Sequence, residues 1–471
     1  MAQLGGRRRQ NRPAVLWSMG SIFSSLLNSS GALAAYGQAL NVVTNNVTNA
    51  NTPGYVRQTA SLQALPFDIS VGLPGGVQFG SVESSRNAYA ERNVRDQQSS
   101  LGYSQQKTTD LSALSSLFDV TGKTGIAPAI DGLFQSFSQL SINPNDPNAR
   151  QGVITQASQV AKAFQSANST LQNAASRVTD ETRANVDQVN RLADTIAQIN
   201  AKNPKDFKGN TDAGVDAQLN STLEELSKYV NYSAIQQPDG SVTLYVGGQT
   251  PLVIGDKANP IQGDFSTPQI KILDGQGHDV TSQITQGQLA ATLEVKNSNI
   301  ASYQTDLDTL AKGLADQVNT TLSNGIDANG AFPTRNLFTY TAGAASETLA
   351  VDPALTPDQI AAALPGAAGG SGNALNLSAL ANTKPIGGYS FTGFFGKLGG
   401  TVGQDISDAQ SAQDTQTQVL SQAENFRSQI SGVNLDQEAE TLVQFQRAYQ
   451  ATSKLFGVLD QLTQTVLNLI P

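Results

Sequence analysis

Leu40-Asn41-Val42-Val43-Thr44-Asn45-Asn46-Val47-Thr48-Asn49-Ala50-Asn51-Thr52-Pro53-Gly54-Tyr55 closes one kind of structure and opens another. Upstream of it, Leu26, Leu33, Leu40 and Val47 recur every seven residues, with Ile22, Tyr36 and Val43 interleaved. A repeat near 3.5 residues lays these side chains along one narrow seam of a helix, here spanning 20–49. The asparagine run followed by Pro53-Gly54 stops that helix and turns the chain. The far end repeats the pattern: Leu435, Leu442, Tyr449, Phe456 and Ile470, with Phe445, Leu459 and Val466 between them. A lone helix cannot bury such a stripe by itself. The first helix is therefore expected to pack on the last, inside one subunit or between many, which points to assembly rather than catalysis.

Between the ends the periodicity changes several times. Residues 55–83 alternate weakly and carry Pro66, Gly72, Pro74, Gly75 and Gly76, which reads as short β segments; residues 87–120 read as helix. After the loop Asn143-Pro144-Asn145-Asp146-Pro147, apolar residues from Val153 to Ile199 keep a 3–4 spacing, predicting a helix of about 45–50 residues, about 70 Å long. Such length belongs to coiled coils or elongated bundles. A short helix over Leu219–Val230 precedes strand signals around Val242, Leu244, Val246 and Leu252-Val253-Ile254. Residues 288–323 return to helix. The stretch 331–400, rich in Gly, Ala and Pro, reads as loop with a short helix near 356–364, and 404–430 as a polar helix.

The expected fold class is mainly α with a β-rich insertion: a long helical bundle or coiled-coil body, terminal helices paired, domains nested and discontinuous. Its expected parts are an axial core (19–60 with 430–471), an elongated helical body (61–230 with 285–330 and 400–429), a small β-rich outer domain (231–284) and a loop-like insertion (331–399). Residues 1–18 hold Arg7, Arg8, Arg9 and Arg12 without an acid, and their apolar run, Ala14-Val15-Leu16-Trp17, is too short for a signal core. They are expected to be a misassigned extension ahead of a natural start at Met19, or a disordered basic tail.

Composition narrows the function classes. The net charge is −9, and from Met19 onward 25 basic residues face 38 acidic ones, or −13, which argues against nucleic-acid binding and against docking on anionic lipid. Charged residues make up only 14%, so the polar surface is largely neutral Gln, Asn, Ser and Thr, which suits close packing in a polymer. With no cysteine, disulfides and thiolate metal sites are impossible. No run of 18 apolar residues predicts a membrane span. His278, the single histidine, lies in a turn and lacks the partners of a triad. Gly122-Lys123-Thr124 has Leu117 where a P-loop needs Gly. Asp327-Ala328-Asn329-Gly330 lacks the closing acid of a calcium loop. Glu224-Glu225 is expected to face solvent. No catalytic, cofactor or metal residues are assigned.

The segment Asn45 to Tyr55, with Asn45, Asn46, Asn49, Asn51, Pro53, Gly54 and Tyr55, closely resembles the N-terminal signature of the flagellar rod, hook and hook-associated axial proteins. Ser431-Gly432-Val433-Asn434-Leu435-Asp436-Gln437-Glu438-Ala439, continuing through Leu442-Val443-Gln444-Phe445 and Ala448-Tyr449, resembles that family's C-terminal signature. The loop at 143–150 leading into a long helix resembles the family's hook–filament junction members; hook and rod subunits usually have β-rich middles. This resemblance covers about 19–330 and 404–471. It implies terminal helices lining an inner tube around an export channel, the helical body outside them, and the β-rich part outermost. It also implies location at the hook–filament junction of the bacterial flagellum, outside the cell. The partners it implies are further copies of the chain, hook protein below, a second hook-associated protein above, the type III export apparatus, and a cytosolic chaperone on the C-terminal helix. The residues it assigns to assembly are Ile22, Leu26, Leu33, Tyr36, Leu40, Val43 and Val47 at one end. At the other are Leu435, Leu442, Phe445, Tyr449, Phe456, Leu459 and Val466. Rival readings are another axial subunit, which the long helix disfavours, or a secreted enzyme or adhesin with axial ends for export.

Overall fold

The computed structural model of the chain describes residues 14–68, 73–118, 124–202, 212–238 and 240–468. The chain opens with α1 (Ala14–Asn49), then a ribbon in which β1 (Gln58–Ala64) pairs antiparallel with β4 (Val77–Ser84), tipped by the shorter pair β2 (Phe67–Asp68) and β3 (Leu73–Pro74). Three helices come next: α2 (Ala88–Ser112), capped by the Asn87 side chain, α3 (Ile126–Ile142) and α4 (Pro147–Lys202). Residues 1–13 lie outside the described part, as does Ile470. Ala14–Ser18, expected as part of a misassigned extension or disordered tail, lie in the first turns of α1, which runs on through Met19.

α4 is the spine. At 56 residues it spans about 84 Å, and its one apolar stripe serves two cores. Along the first half, Val153, Val160, Phe164, Leu171 and Val178 pack against α3, the helix α7 (Ala301–Ser323) and the segment after it. Along the second half, Val186, Val189, Ala193 and Ile196 pack with α5 (Ala213–Tyr229), α6 (Gly287–Glu294) and the β-rich unit. That unit is an antiparallel sheet in the order β5 (Tyr232–Gln236), β6 (Val242–Val246), β7 (Thr250–Ile254), β8 (Lys257–Ala258), followed by the hairpin of β9 (Gln262–Asp264) and β10 (Lys271–Leu273). A π-helical stretch, Val295–Ile300, joins α6 to α7.

The segment 331–399 departs from expectation. It is not a loose loop: Leu337, Phe338, Leu349, Ile360, Ala361, Ala362 and Leu377 are buried in the same core as α3 and α4. It holds the β11 (Phe338–Thr339) and β12 (Ala350–Val351) pair, the short α8 (Ala345–Thr348) and α9 (Gly372–Ala379). Near 356–364 there is only a 3₁₀ turn, Pro357–Gln359. Arg150, 3% exposed, ties the segment down by donating to the Pro144, Asp358 and Ile360 carbonyls. Its small residues, which read as loop, let the backbone lie close to the helices. α10 (Phe391–Ser431) starts 13 residues earlier than expected, because Phe391, Phe394, Phe395, Leu398 and Val402 share one buried face despite the glycines among them. α3 has no counterpart among the expected helices, although Ile126, Ile130, Leu133, Phe137 and Leu140 carry helical spacing. After Gly432 the chain ends in α11 (Leu435–Asn468), capped by the Asn434 side chain.

Candidate assembly surface

α1 and α11 pack along each other, so the two ends of the chain meet in space, while α1 also lies against the ribbon of β1 and β4. This two-sided contact moves the buried line of α1. The buried positions are Ser29, Ala32, Ala35, Ala39, Val43 and Asn46, not the leucines. Small side chains on that line let α11 and the ribbon both approach the helix axis. Ile22, Leu26, Leu33, Tyr36 and Leu40 flank it half-buried, and Tyr36 meets Phe445 with ring centroids 6.5 Å apart. On α11, Leu442, Phe445, Phe456, Leu459 and Val466 are half-buried. Val47, Leu435 and Tyr449 depart from the expected seam and are exposed at 45%, 54% and 40%. A second apolar set on α11, Val443, Leu455, Val458 and Leu462, is also exposed, as are Phe23 and Leu27 on α1. One subunit thus leaves most seam side chains half-buried and further apolar side chains on both helices facing outward.

The exit from α1 is held by a buried polar cluster. Asn46, 1% exposed, donates from Nδ2 to the Gln58 carbonyl (2.8 Å) and to Glu438 Oε2 (2.9 Å). Its Oδ1 accepts from the Gln58 amide and from the Tyr55 hydroxyl, both at 2.9 Å. Glu438, also 1% exposed, takes a second bond from Arg57 Nε at 2.6 Å. The Arg57 amide donates to the Ser431 carbonyl at 3.0 Å. One carboxylate on α11 therefore joins the end of α1 to the start of the ribbon, and Arg57 extends the link to the turn before α11. Burial, and then the Glu438 charge, push the Tyr55 hydroxyl up to about 12, so it remains a proton donor to Asn46 at neutral pH.

The signature turn is clamped from the other side. Gly54 has φ of +74°, and a Cβ there would stand 2.3 Å from the Ala217 carbonyl oxygen of α5, so no other residue fits without movement. Its carbonyl accepts from Arg86 (2.7 Å), which also bonds Asp216 of α5 (2.8 Å) and the buried Glu91 of α2 (2.6 Å). Arg427 of α10 completes the set, reaching Glu224 at 2.5 Å and Glu91 at 3.4 Å. Glu224, expected in solvent, is thus turned inward, while Glu225 is exposed and accepts from Gln188. Asn45 and Asn49 bond to each other along α1, Thr52 donates to Asn49, and Pro53 and Asn51 are exposed. His278 is 70% exposed beside Asp274 in its turn.

Sequence reasoning missed Arg57, Arg86, Glu91, Arg427 and the role of Glu438. Glu438 did carry a signal: it occupies a seam position, between Leu435 and Leu442, where an isolated charge needs a buried partner. Arg57 and Arg427 carried none, since their partners lie hundreds of residues away, and Arg86 joins the nearby Glu91 to Gly54 and to Asp216, 130 residues on.

The family pattern described as flagellar hook-associated protein FlgK helical domain matches residues 111–338. That of the flagella basal body rod protein matches 26–55, and that of the flagellar basal body rod FlgEFG protein C-terminal matches 427–469. The chain is 28% identical to flagellar hook-associated protein 1 of Bacillus subtilis, over 96% of this chain and 99% of the relative. It is 24% identical to the protein of that name from Escherichia coli, over 95% and 100%. The solved flagellar hook junction protein FlgK of Burkholderia pseudomallei shares its fold, with a TM-score of 0.64 at 15% identity, covering 71% of this chain and 99% of that one.

Proposed function

We propose, for a chain that belongs to the flagellar rod, hook and hook-associated axial proteins, that the half-covered terminal seams are the means by which it builds the hook–filament junction. The protein is a structural subunit of the bacterial flagellum at that junction. The observation that carries the mechanism is the pairing of α1 with α11, locked at Glu438, with apolar rows left outward on both helices. Burying a half-exposed leucine or valine in a neighbouring subunit contributes on the order of 1 kcal/mol, so rows repeated around a ring add up. Residues 19–60 with 430–471 act as the axial core, and 231–284 faces outward. Before assembly the same rows are an aggregation hazard. A cytosolic chaperone on the C-terminal helix, release through the type III export apparatus, and contacts to hook protein below and a second hook-associated protein above complete this reading.

Deletion of the gene, with electron microscopy of the cells and a blot for flagellin in the medium, tests it. Hooks without filaments and flagellin shed into the medium are expected. Cells lacking hooks would make the chain a rod or hook subunit, and normal filaments would remove it from the axial structure.

A further inference from the structure

β5 is the outer strand of its sheet and, among the described residues, pairs only with β6. Outer strands present unpaired N–H and C=O groups, and folded proteins ordinarily guard them with charge, proline or a bulge. Tyr232-Ser233-Ala234-Ile235-Gln236 has no charge and no proline, pairs with β6 without a register shift, and leaves Ile235 51% exposed. The strand forms one wall of a cleft of about 450 Å³ whose opposite wall is α2. Arg92 and Arg95 stand on that wall, and neither forms an ion pair among the described residues; with Asp96 beside them the notch is net positive. Two polar atoms of the lining lack hydrogen-bond partners among the described residues. One is the Oγ of Ser99, a residue 5% exposed; the other is Gln286 Oε1, at the start of α6.

An occupant that satisfies all of these at once brings an extended backbone for β5, a carboxylate for the arginines, and N–H donors for Gln286. An acidic stretch of polypeptide has this chemistry. The chain itself, at net charge −9, is complementary to its own positive notch. Resting on the self-assembling subunit reading above, we propose that the cleft between α2 and β5 receives an acidic, extended segment of a neighbouring copy of this chain, which adds a strand to the sheet. This contact lies on the outer unit, apart from the α1–α11 seams.

The test replaces Ile235 by the photo-cross-linking residue p-benzoylphenylalanine in cells lacking the native gene. Hook–filament structures are isolated and illuminated, and the linked peptides are mapped by mass spectrometry. The expected result is a covalent dimer of this chain, linked to a segment carrying Asp or Glu, and its loss with Arg92→Glu and Arg95→Glu together. If the probe at 235 blocks incorporation, the same probe at Ser233, two residues along the strand, decides. A link to a different flagellar subunit, or no link in structures that contain the probe-bearing subunit, overturns the proposal. Absence of the wild-type protein from isolated junctions would instead overturn the parent reading.

Discussion

Replacing Glu438 by alanine isolates the bond between the two ends of the chain. The carboxylate is 1% exposed and accepts two bonds, from Arg57 at 2.6 Å and Asn46 at 2.9 Å. Charge-assisted bonds of this kind contribute about 1.5–3 kcal/mol each. Arg57 is 31% exposed and regains water when its partner is lost, and Asn46 keeps its bond to the Gln58 carbonyl. The net loss is therefore about 2–4 kcal/mol, below the simple sum. It falls on the docking of α11 and the start of the ribbon, because the cores around α4 share no residue with the cluster. Amide hydrogen exchange of the purified subunit reads this directly: protection along α11 and residues 56–60 is expected to drop about 30- to 700-fold. Protection in α3, α4 and α7 should stay unchanged. Glu438→Gln, which retains an acceptor but not the charge, should recover part of the loss. Equal exchange of α11 in wild type and Glu438→Ala would refute the assignment of Glu438 as the lock.

Gly54→Ala places a Cβ 2.3 Å from the Ala217 carbonyl at a φ of +74°, so a loss of at least about 1 kcal/mol and weaker protection of residues 52–57 are expected by the same exchange measurement. Leu455→Ser with Val458→Ser alters only exposed side chains, so the melting temperature of the free subunit should hold while incorporation into junctions, scored by blot of isolated filaments, is lost. Asp110 of α2 is pushed up to about 8 by burial and by the neighbouring Glu181 carboxylate. A carboxyl whose folded pKa is raised binds its proton more tightly in the folded state, so its contribution is present at low pH and is lost as pH rises from about 4 to about 8. Denaturant midpoints should accordingly fall across that range in wild type and fall less in Asp110→Asn, with the variant the more stable at pH 8.

The helical body and its β-rich insertion were legible because long amphipathic periods and alternating strands are local signals: Val153 to Ile199 announce α4, and Val242, Leu244 and Val246 announce β6. The reading failed where burial comes through small residues. Ala361 and Ala362 look like loop in a Gly/Ala/Pro stretch, yet they pack at 0% exposure because Arg150 holds that backbone against the body. The same cause displaced the α1 seam from leucines to Ala32, Ala35 and Ala39: an alanine gives no hydrophobic signal until a second element approaches from the other side.

By itself the sequence determined that both ends are amphipathic helices, that the turn Asn45 to Tyr55 separates α1 from the β segments after it, and that a long amphipathic helix runs between them. Side-chain order along the chain sets period, cap and breaker, and these suffice for all three. Only the tertiary structure decided that Glu438 is the residue joining those ends, that Gly54 is pinned under Ala217, and that Val47, Leu435 and Tyr449 face outward. Those facts depend on which side chains meet across long stretches of chain: the seam position of Glu438 calls for a buried partner, but its spacing does not say which residue that is.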